Sequence, residues 1–257
     1  CSCVPAKREG NAMPFHKITY NEKYRFATLH NYGCNFRCSV CSYKLRSGPE
    51  GRPGFSVPAP ERFLSLDEMK AALASIPAEK VFFMGGEPTA AVELPSLLAF
   101  AKRELGAATY LGHTNGSRLP LPDLDGANVG LKAWNEDVHL AYTGRPQRPI
   151  FENFAAAVAA GLDMKANVVY VPGLVDLDQV EAIAAWLASL RRTIPLHVMG
   201  YIPVPGQPYA RPTDEQMAAA VACCRKHLDH VACSHLTASE AKDLSARDDR
   251  FVVRRIA

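Results

Sequence analysis

Three cysteines, Cys34, Cys38 and Cys41, stand in the segment Asn31-Tyr32-Gly33-Cys34-Asn35-Phe36-Arg37-Cys38-Ser39-Val40-Cys41. Thiolates this closely spaced in one loop can converge on a single metal centre, and Gly33 lets the backbone turn tightly beside the first of them. The count of three is informative. A four-iron cubane held by three thiolates keeps one iron open to another ligand, whereas clusters that only carry electrons are normally closed by four. The alternative is a structural zinc site in which His30 completes a Cys₃His set, because Cys-x-x-Cys spacing serves both metals. Further along, an apolar run ends in Gly85-Gly86-Glu87-Pro88. Adjacent glycines let a ligand approach backbone carbonyls and amides directly, although alone the same residues read as an ordinary turn.

These residues need a scaffold, and the apolar patterning supplies one. Strand-like runs at Tyr24 to Leu29, Lys80 to Met84, Ala107 to Gly112, Ala127 to Leu131, Met164 to Val171 and Leu196 to Ile202 alternate with amphipathic helix-like runs, the pattern of a parallel sheet. Capping signals mark helix starts at Ser65 with Glu68, Asp176 with Gln179, and Thr213 with Gln216. Pro and Gly concentrate in Ser47 to Pro60 and Pro203 to Pro212 and predict loops. The expected fold is α/β, and in such folds ligands sit at the carboxyl ends of the strands. The cysteine loop follows the first strand and the Gly-Gly turn the second, as that rule requires.

Cys-x-x-x-Cys-x-x-Cys after a first strand, with Gly-Gly-Glu-Pro ending the second, resembles the signature of the radical SAM superfamily, SAM being S-adenosylmethionine. The resemblance implies a [4Fe-4S] cluster on Cys34, Cys38 and Cys41, with SAM chelating the open iron through its amino and carboxylate groups. It also implies reductive cleavage of SAM to a 5′-deoxyadenosyl radical that abstracts a hydrogen atom. The protein's share is orientation, reduction potential and exclusion of water. Co-occurrence of the two motifs weighs against zinc. Gly85, Gly86 and Glu87 would then hold the SAM amino group. Thr114-Asn115-Gly116, Leu131-Lys132, the run Val168 to Gly173 and the run Pro195 to Gly200 are similar to pyruvate formate-lyase activating enzyme and its relatives, and imply SAM contacts at Asn115, Lys132 and His197. A lysine can pair with a carboxylate, and a histidine can hydrogen-bond to a ribose or carboxylate without acting as a base. Taken singly, such residues read as a solvated charge and a rim histidine.

The likeness runs from about Tyr24 to Gly206 and implies a partial (β/α)₆ TIM-like barrel, open at the side, with a C-terminal helix and tail over 213–257, all in a single domain spanning 1–257. Two departures stand out. Val40 occupies a usually aromatic position, and His113 and Gly130 replace the acidic residues that bind a monovalent cation near SAM in the activating enzymes. The branch implies a flavodoxin or ferredoxin as electron donor and a glycyl radical protein as substrate. The competing readings are a radical SAM enzyme acting on a small molecule, peptide or nucleobase, and a zinc-stabilised binding module without catalysis.

Composition sets outer bounds. The 257 residues, 48% of them hydrophobic, suffice for one filled core. A net charge of +3 with scattered basic residues gives no nucleic-acid footprint. No apolar run approaches the roughly 20 residues of a membrane span, and the start lacks a signal-like core, so a soluble cytoplasmic protein is expected. The sequence begins at Cys1 and not at a methionine, which leaves room for an upstream segment. Of the other cysteines, Cys223 and Cys224 project about 100° apart on a predicted helix and read as buried apolar residues. An auxiliary metal site drawing on Cys1, Cys3, Cys223, Cys224 or Cys233, with His227, His230 and His235 nearby, is the alternative.

Overall fold

The structure, a computed structural model, describes residues 14–257; Cys1 and Cys3 lie outside them. In chain order the elements are β1 (Phe15–Asn21), β2 (Phe26–Asn31), α1 (Lys44–Ser47), α2 (Leu66–Ala74), β3 (Lys80–Gly85) and α3 (Leu94–Ala99), which runs on through a π turn at Phe100–Glu104. There follow β4 (Ala108–Thr114), β5 (Gly126–Gly130), α4 (Glu136–Thr143), α5 (Arg148–Ala159), β6 (Asp163–Tyr170), α6 (Leu177–Leu190) and β7 (Leu196–Gly200). The chain closes with α7 (Asp214–Arg225), β8 (Val231–Ser234), α8 (Ala238–Arg247) and β9 (Arg254–Arg255).

One sheet takes the order β8-β7-β6-β5-β4-β3-β2-β1-β9. From β2 to β8 every neighbouring pair is parallel, while β1 and β9 are antiparallel additions. The ends, β8 and β9, do not pair with each other, so the wall stays open, as in a partial TIM-like barrel. Alternation along the strands sorts the residues. Leu29, Val81, Phe83, Leu111, Val129, Val168 and Val198 are buried in the layer shared with the helices. On the other, inner face Phe26, Phe82 and Tyr110 pack ring to ring, with centroids 5.5 and 5.3 Å apart.

All six expected strands are present, and two neighbours lay outside the expectation. β1 forms a hairpin with β2 in which Ile18 faces Leu29, which moves the start of the sheet from Tyr24 back to Phe15. A seventh parallel strand, β8, joins β7. The capping boxes at Ser65/Glu68 and Thr213/Gln216 are complete. Asp176 differs: its carboxylate accepts from Gly173 N–H (2.8 Å) instead of capping α6, and Gln179 accepts from Asn135 N–H (2.7 Å), so turn and helix-start contacts compete successfully for both side chains. Among the described residues no helix is long and apolar enough to cross a membrane.

Candidate active site

The cysteine loop is pinned by backbone on three sides. Gly33 N–H donates to Gly54 carbonyl (2.7 Å) and Glu87 N–H to Gly33 carbonyl (2.9 Å); Arg37 and Ser39 N–H groups donate to Thr143 and Tyr142 carbonyls (2.8 and 3.0 Å) at the end of α4. Packing at the first anchor leaves no room for side chains. A Cβ on Gly86 would lie 1.9 Å from Gly33 O, and one on Gly85, whose φ is +133°, would lie 2.4 Å from Asn31 O. The two glycines of the Gly-Gly turn are thus required by close approach, Gly85 to Asn31 at the end of β2 and Gly86 to Gly33 in the cysteine loop.

Cys34 Sγ accepts from Phe36 N–H (3.4 Å) and from Asn115 Nδ2 (3.9 Å), contacts of the kind that orient a ligand and tune its metal. Burial pushes the Cys34 thiol up to about 12, and Glu87, Cys38 and Cys41 push in the same direction. Burial likewise pushes Cys38 up to about 11, opposed by the Lys132 cation. The three sulfurs therefore lie within electrostatic range of one another, and a nearby positive metal charge is what would let them lose their protons together. Among the described residues no three His, Cys, Asp or Glu side chains are gathered for a single metal ion, and His30 Nε2 lies 3.1 Å from Thr19 Oγ1. A Cys₃His zinc set is not assembled among the described residues, whereas a four-iron cluster held by three thiolates needs no single point at which they meet.

Beside the Gly-Gly turn lies a cavity of about 410 Å³, lined among others by His30, Asn31, Tyr43 and Gly85 and within the size range of small-molecule sites. Asn31, 1% exposed, donates from Nδ2 to Gly33 O (3.0 Å), but its Oδ1 has no partner. A buried acceptor without a donor, beside a turn that has no room for a Cβ, fits an incoming ammonium group.

Glu87 has a different place from that of an open ligand group. Its side chain is 0% exposed. One carboxylate oxygen accepts from Thr89 N–H (3.0 Å), Thr89 Oγ1 (2.6 Å) and Thr114 Oγ1 (2.7 Å), and the other from Asn115 N–H (2.6 Å). Burial pushes its pKa above the usual carboxylate range, and these four donors oppose the shift. Glu87 thereby ties the end of β3 to the end of β4. Asn115, placed by that tie, donates from Nδ2 to Asn35 Oδ1 (2.7 Å) as well as to Cys34.

Lys132 follows β5 and folds back so that a Cβ on Gly130 would lie 2.8 Å from its Nζ. Its cation is felt by Cys38 and by His113. His197 also acts on His113, whose pKa is lowered chiefly by burial, but His197 lines another cleft of about 750 Å³ with Lys165, Arg225 and His230. The structure thus brings Cys34, Gly85, Gly86, Glu87 and Asn115 together, places Cys38, Cys41 and Lys132 within electrostatic reach, and leaves His197 at the far side. Asn31, Thr89, Thr114 and Asn35 are parts of the site that sequence reasoning missed. Cys223 and Cys224 are buried in α7, donating to Ala220 and Val180 carbonyls, and Cys233 is exposed.

An open, mainly parallel sheet with a three-cysteine loop and a side-chain-free turn at its carboxyl edge has the arrangement expected of a SAM-dependent radical enzyme. Residues 28–187 match the Radical SAM superfamily, and the chain belongs to it; the cofactors of that superfamily are a [4Fe-4S] cluster and SAM. A protein of Methanocaldococcus jannaschii provisionally named a glycyl-radical enzyme activating enzyme is 27% identical over 246 residues, covering 91% of this chain and 88% of its own. A GTP 3′,8-cyclase of Stenotrophomonas maltophilia is 29% identical over 194 residues, 71% of this chain and 52% of the cyclase, so the chain spans about half of that relative. Among solved structures, SuiB of Streptococcus suis with S-adenosylmethionine bound superposes with a TM-score of 0.58 at 14% identity over 79% of this chain and 48% of SuiB. A radical SAM methyltransferase of Sphaerobacter thermophilus gives 0.55 at 19% identity over 81% of this chain and 66% of its own. At these identities the likeness is one of fold.

Proposed function

We propose that this chain is a glycyl-radical-enzyme activase or a close relative, removing a hydrogen atom from a backbone glycine of a partner protein. The observation that carries the reading is the unclosed wall between β8 and β9, which gives a protein loop lateral access to the carboxyl edge of the strands. The end-to-end match to the M. jannaschii protein supports it. When bound, the cluster and SAM together supply reductive cleavage of SAM and hydrogen-atom abstraction.

The chain's own residues divide the remaining work. Cys34, Cys38 and Cys41 hold the cluster. The Gly85–Gly86 turn admits the amino-acid end of SAM, and Asn31 Oδ1 accepts from its ammonium. Lys132 pairs with its carboxylate. Asn115 orients Cys34, and Glu87 acts through Asn115 as a positioning residue. A flavodoxin or ferredoxin supplies the electron, and a reducing cytoplasm suits the free cysteines.

A second reading, a small-molecule substrate, is favoured by the match to GTP 3′,8-cyclases over 71% of the chain. Anaerobic reconstitution with SAM and dithionite tests both. Formation of 5′-deoxyadenosine establishes SAM cleavage. Deuterium entering it from a glycine-labelled partner protein supports the first reading, and deuterium entering it only from a small molecule overturns it.

A further inference from the structure

We propose that the outer side of the cysteine loop is the docking surface for an acidic one-electron donor protein of the flavodoxin type. The inference rests on the radical SAM reading above and deepens it. Two clefts, of about 650 and 410 Å³, meet along Asn35, Phe36 and Arg145. Between them they are lined by five cations, Arg37, Lys44, Arg52, Arg118 and Arg145, against one acid, Glu50. None of the five forms an ion pair among the described residues, whereas Lys102, Arg103, Arg192 and Lys226 elsewhere on the surface each have a carboxylate partner.

Four of the five are held by groups that leave their charge unneutralised. Lys44 donates to Pro49 O (2.8 Å), Arg145 to Asn35 O (3.1 Å) and Arg118 to Thr89 O (3.3 Å), while Arg52 lies 4.2 Å over the Phe55 ring. In a chain whose net charge is only +3, this is a local concentration of oriented positive charge, the complement of an acidic protein face. It is also where solvent comes up to the cluster ligands: Cys34 lines the larger cleft, while Cys38 is 7% exposed. The cavity beside Gly85 shares no lining residue with either cleft, so a donor and SAM can be bound together. The transfer itself oxidises the donor by one electron and reduces the cluster by one, with no atom exchanged.

The test uses the full chain, reconstituted anaerobically, and a fully reduced acidic flavodoxin as probe. Stopped-flow reduction of the cluster is compared for the unaltered protein, the R37E/R52E variant and the charge-keeping R37K/R52K variant. Charge reversal is expected to slow reduction by flavodoxin about tenfold or more at low salt, with the difference shrinking as salt rises. Reduction by dithionite should change by less than about twofold, and the lysine variant should behave as the unaltered protein. On the metal-free chain, carbodiimide coupling to flavodoxin carboxylates should mark Lys44. Equal flavodoxin rates for both charge states at every salt concentration, coupling only at lysines outside the clefts, or protection of Lys44 by an RNA oligonucleotide but not by flavodoxin would each overturn the proposal. Absence of 5′-deoxyadenosine after dithionite reduction would instead overturn the SAM-cleavage reading, and the coupling result on the metal-free chain still decides the docking face.

Discussion

Replacing Glu87 by Gln keeps the shape of the side chain and removes one acceptor from a site that uses both. Three donors converge on one oxygen and Asn115 N–H, at 2.6 Å, on the other. If the Gln oxygen stays with Thr89 and Thr114, its amide NH₂ faces the Asn115 N–H. If the amide flips, the NH₂ faces the Thr89 N–H instead. Hydroxyls can reverse their role but a backbone N–H cannot, so one buried donor is left facing a donor in either pose. Such an orphan costs about 1–3 kcal/mol, and losing the charge-assisted bond puts the expected change near 2–3 kcal/mol. Glu87→Ala strands both backbone N–H groups and is expected to cost about 2–6 kcal/mol, a large part of a typical domain's stability. Urea unfolding of the metal-free protein reads these values as a lower midpoint at unchanged slope. Because Asn115 also donates to Cys34, SAM cleavage per bound iron should fall in the Gln variant even where it is fully folded. A Gln variant within about 0.5 kcal/mol of the parent, with unaltered SAM cleavage, would refute the clamp.

Gly86→Ala places a methyl 1.9 Å from Gly33 O, so the cysteine loop must move; the variant should take up clearly less than four irons per chain, and full loading at parental stability would contradict this. Lys132→Met removes the one cation assigned to the SAM carboxylate and should weaken SAM binding to the reconstituted protein by about 10- to 100-fold, as expected for a charge-assisted hydrogen bond, read by calorimetry; an unchanged Kd would reassign the lysine. His30 is pushed down to about 3 by burial, with Lys17 and His16 adding to the shift. Its folded-state pKa lies below the unfolded value of 6.5, so the unfolded chain takes up the proton first. Stability from this group is therefore present above about pH 6.5 and is lost as pH falls toward 3, amounting to about 2 kcal/mol by pH 5. Urea unfolding at pH 7.5 and 5.0 should show that loss in the parent and a smaller one in His30→Gln, and parallel losses in both would remove His30 as the cause.

The six inner strands were legible because runs such as Val81-Phe82-Phe83-Met84 are buried on one face and line a partly filled interior on the other, so both alternating positions are apolar. β1 was not, since Phe15-His16-Lys17-Ile18-Thr19 interrupts its apolar residues with polar ones, and only its pairing with β2 makes a strand of it. β8 is four residues long and carries its signal in its neighbour β7. In the site, cysteine spacing and the Gly-Gly-Glu-Pro turn could be read directly. Asn31 could not, because an asparagine ahead of Tyr32-Gly33 has no signature; it matters only because the parallel register of β2 with β3 sets it opposite Gly85. Glu87 was legible as a motif residue while its role was not, since the hydroxyls of Thr89 and Thr114 that hold it come from two separate turns.

At the far margin of the sheet, Ile18 bonds in both directions with the chain's last residues, its N–H donating to Ala257 O (3.0 Å) and its carbonyl accepting from Ile256 N–H (2.9 Å). Asn21 reaches the same segment through Asp249 and Val252 carbonyls. Contacts separated by more than two hundred residues close a long loop, so the outer amides of the β1–β2 hairpin stay uncovered until that distant segment folds back onto them.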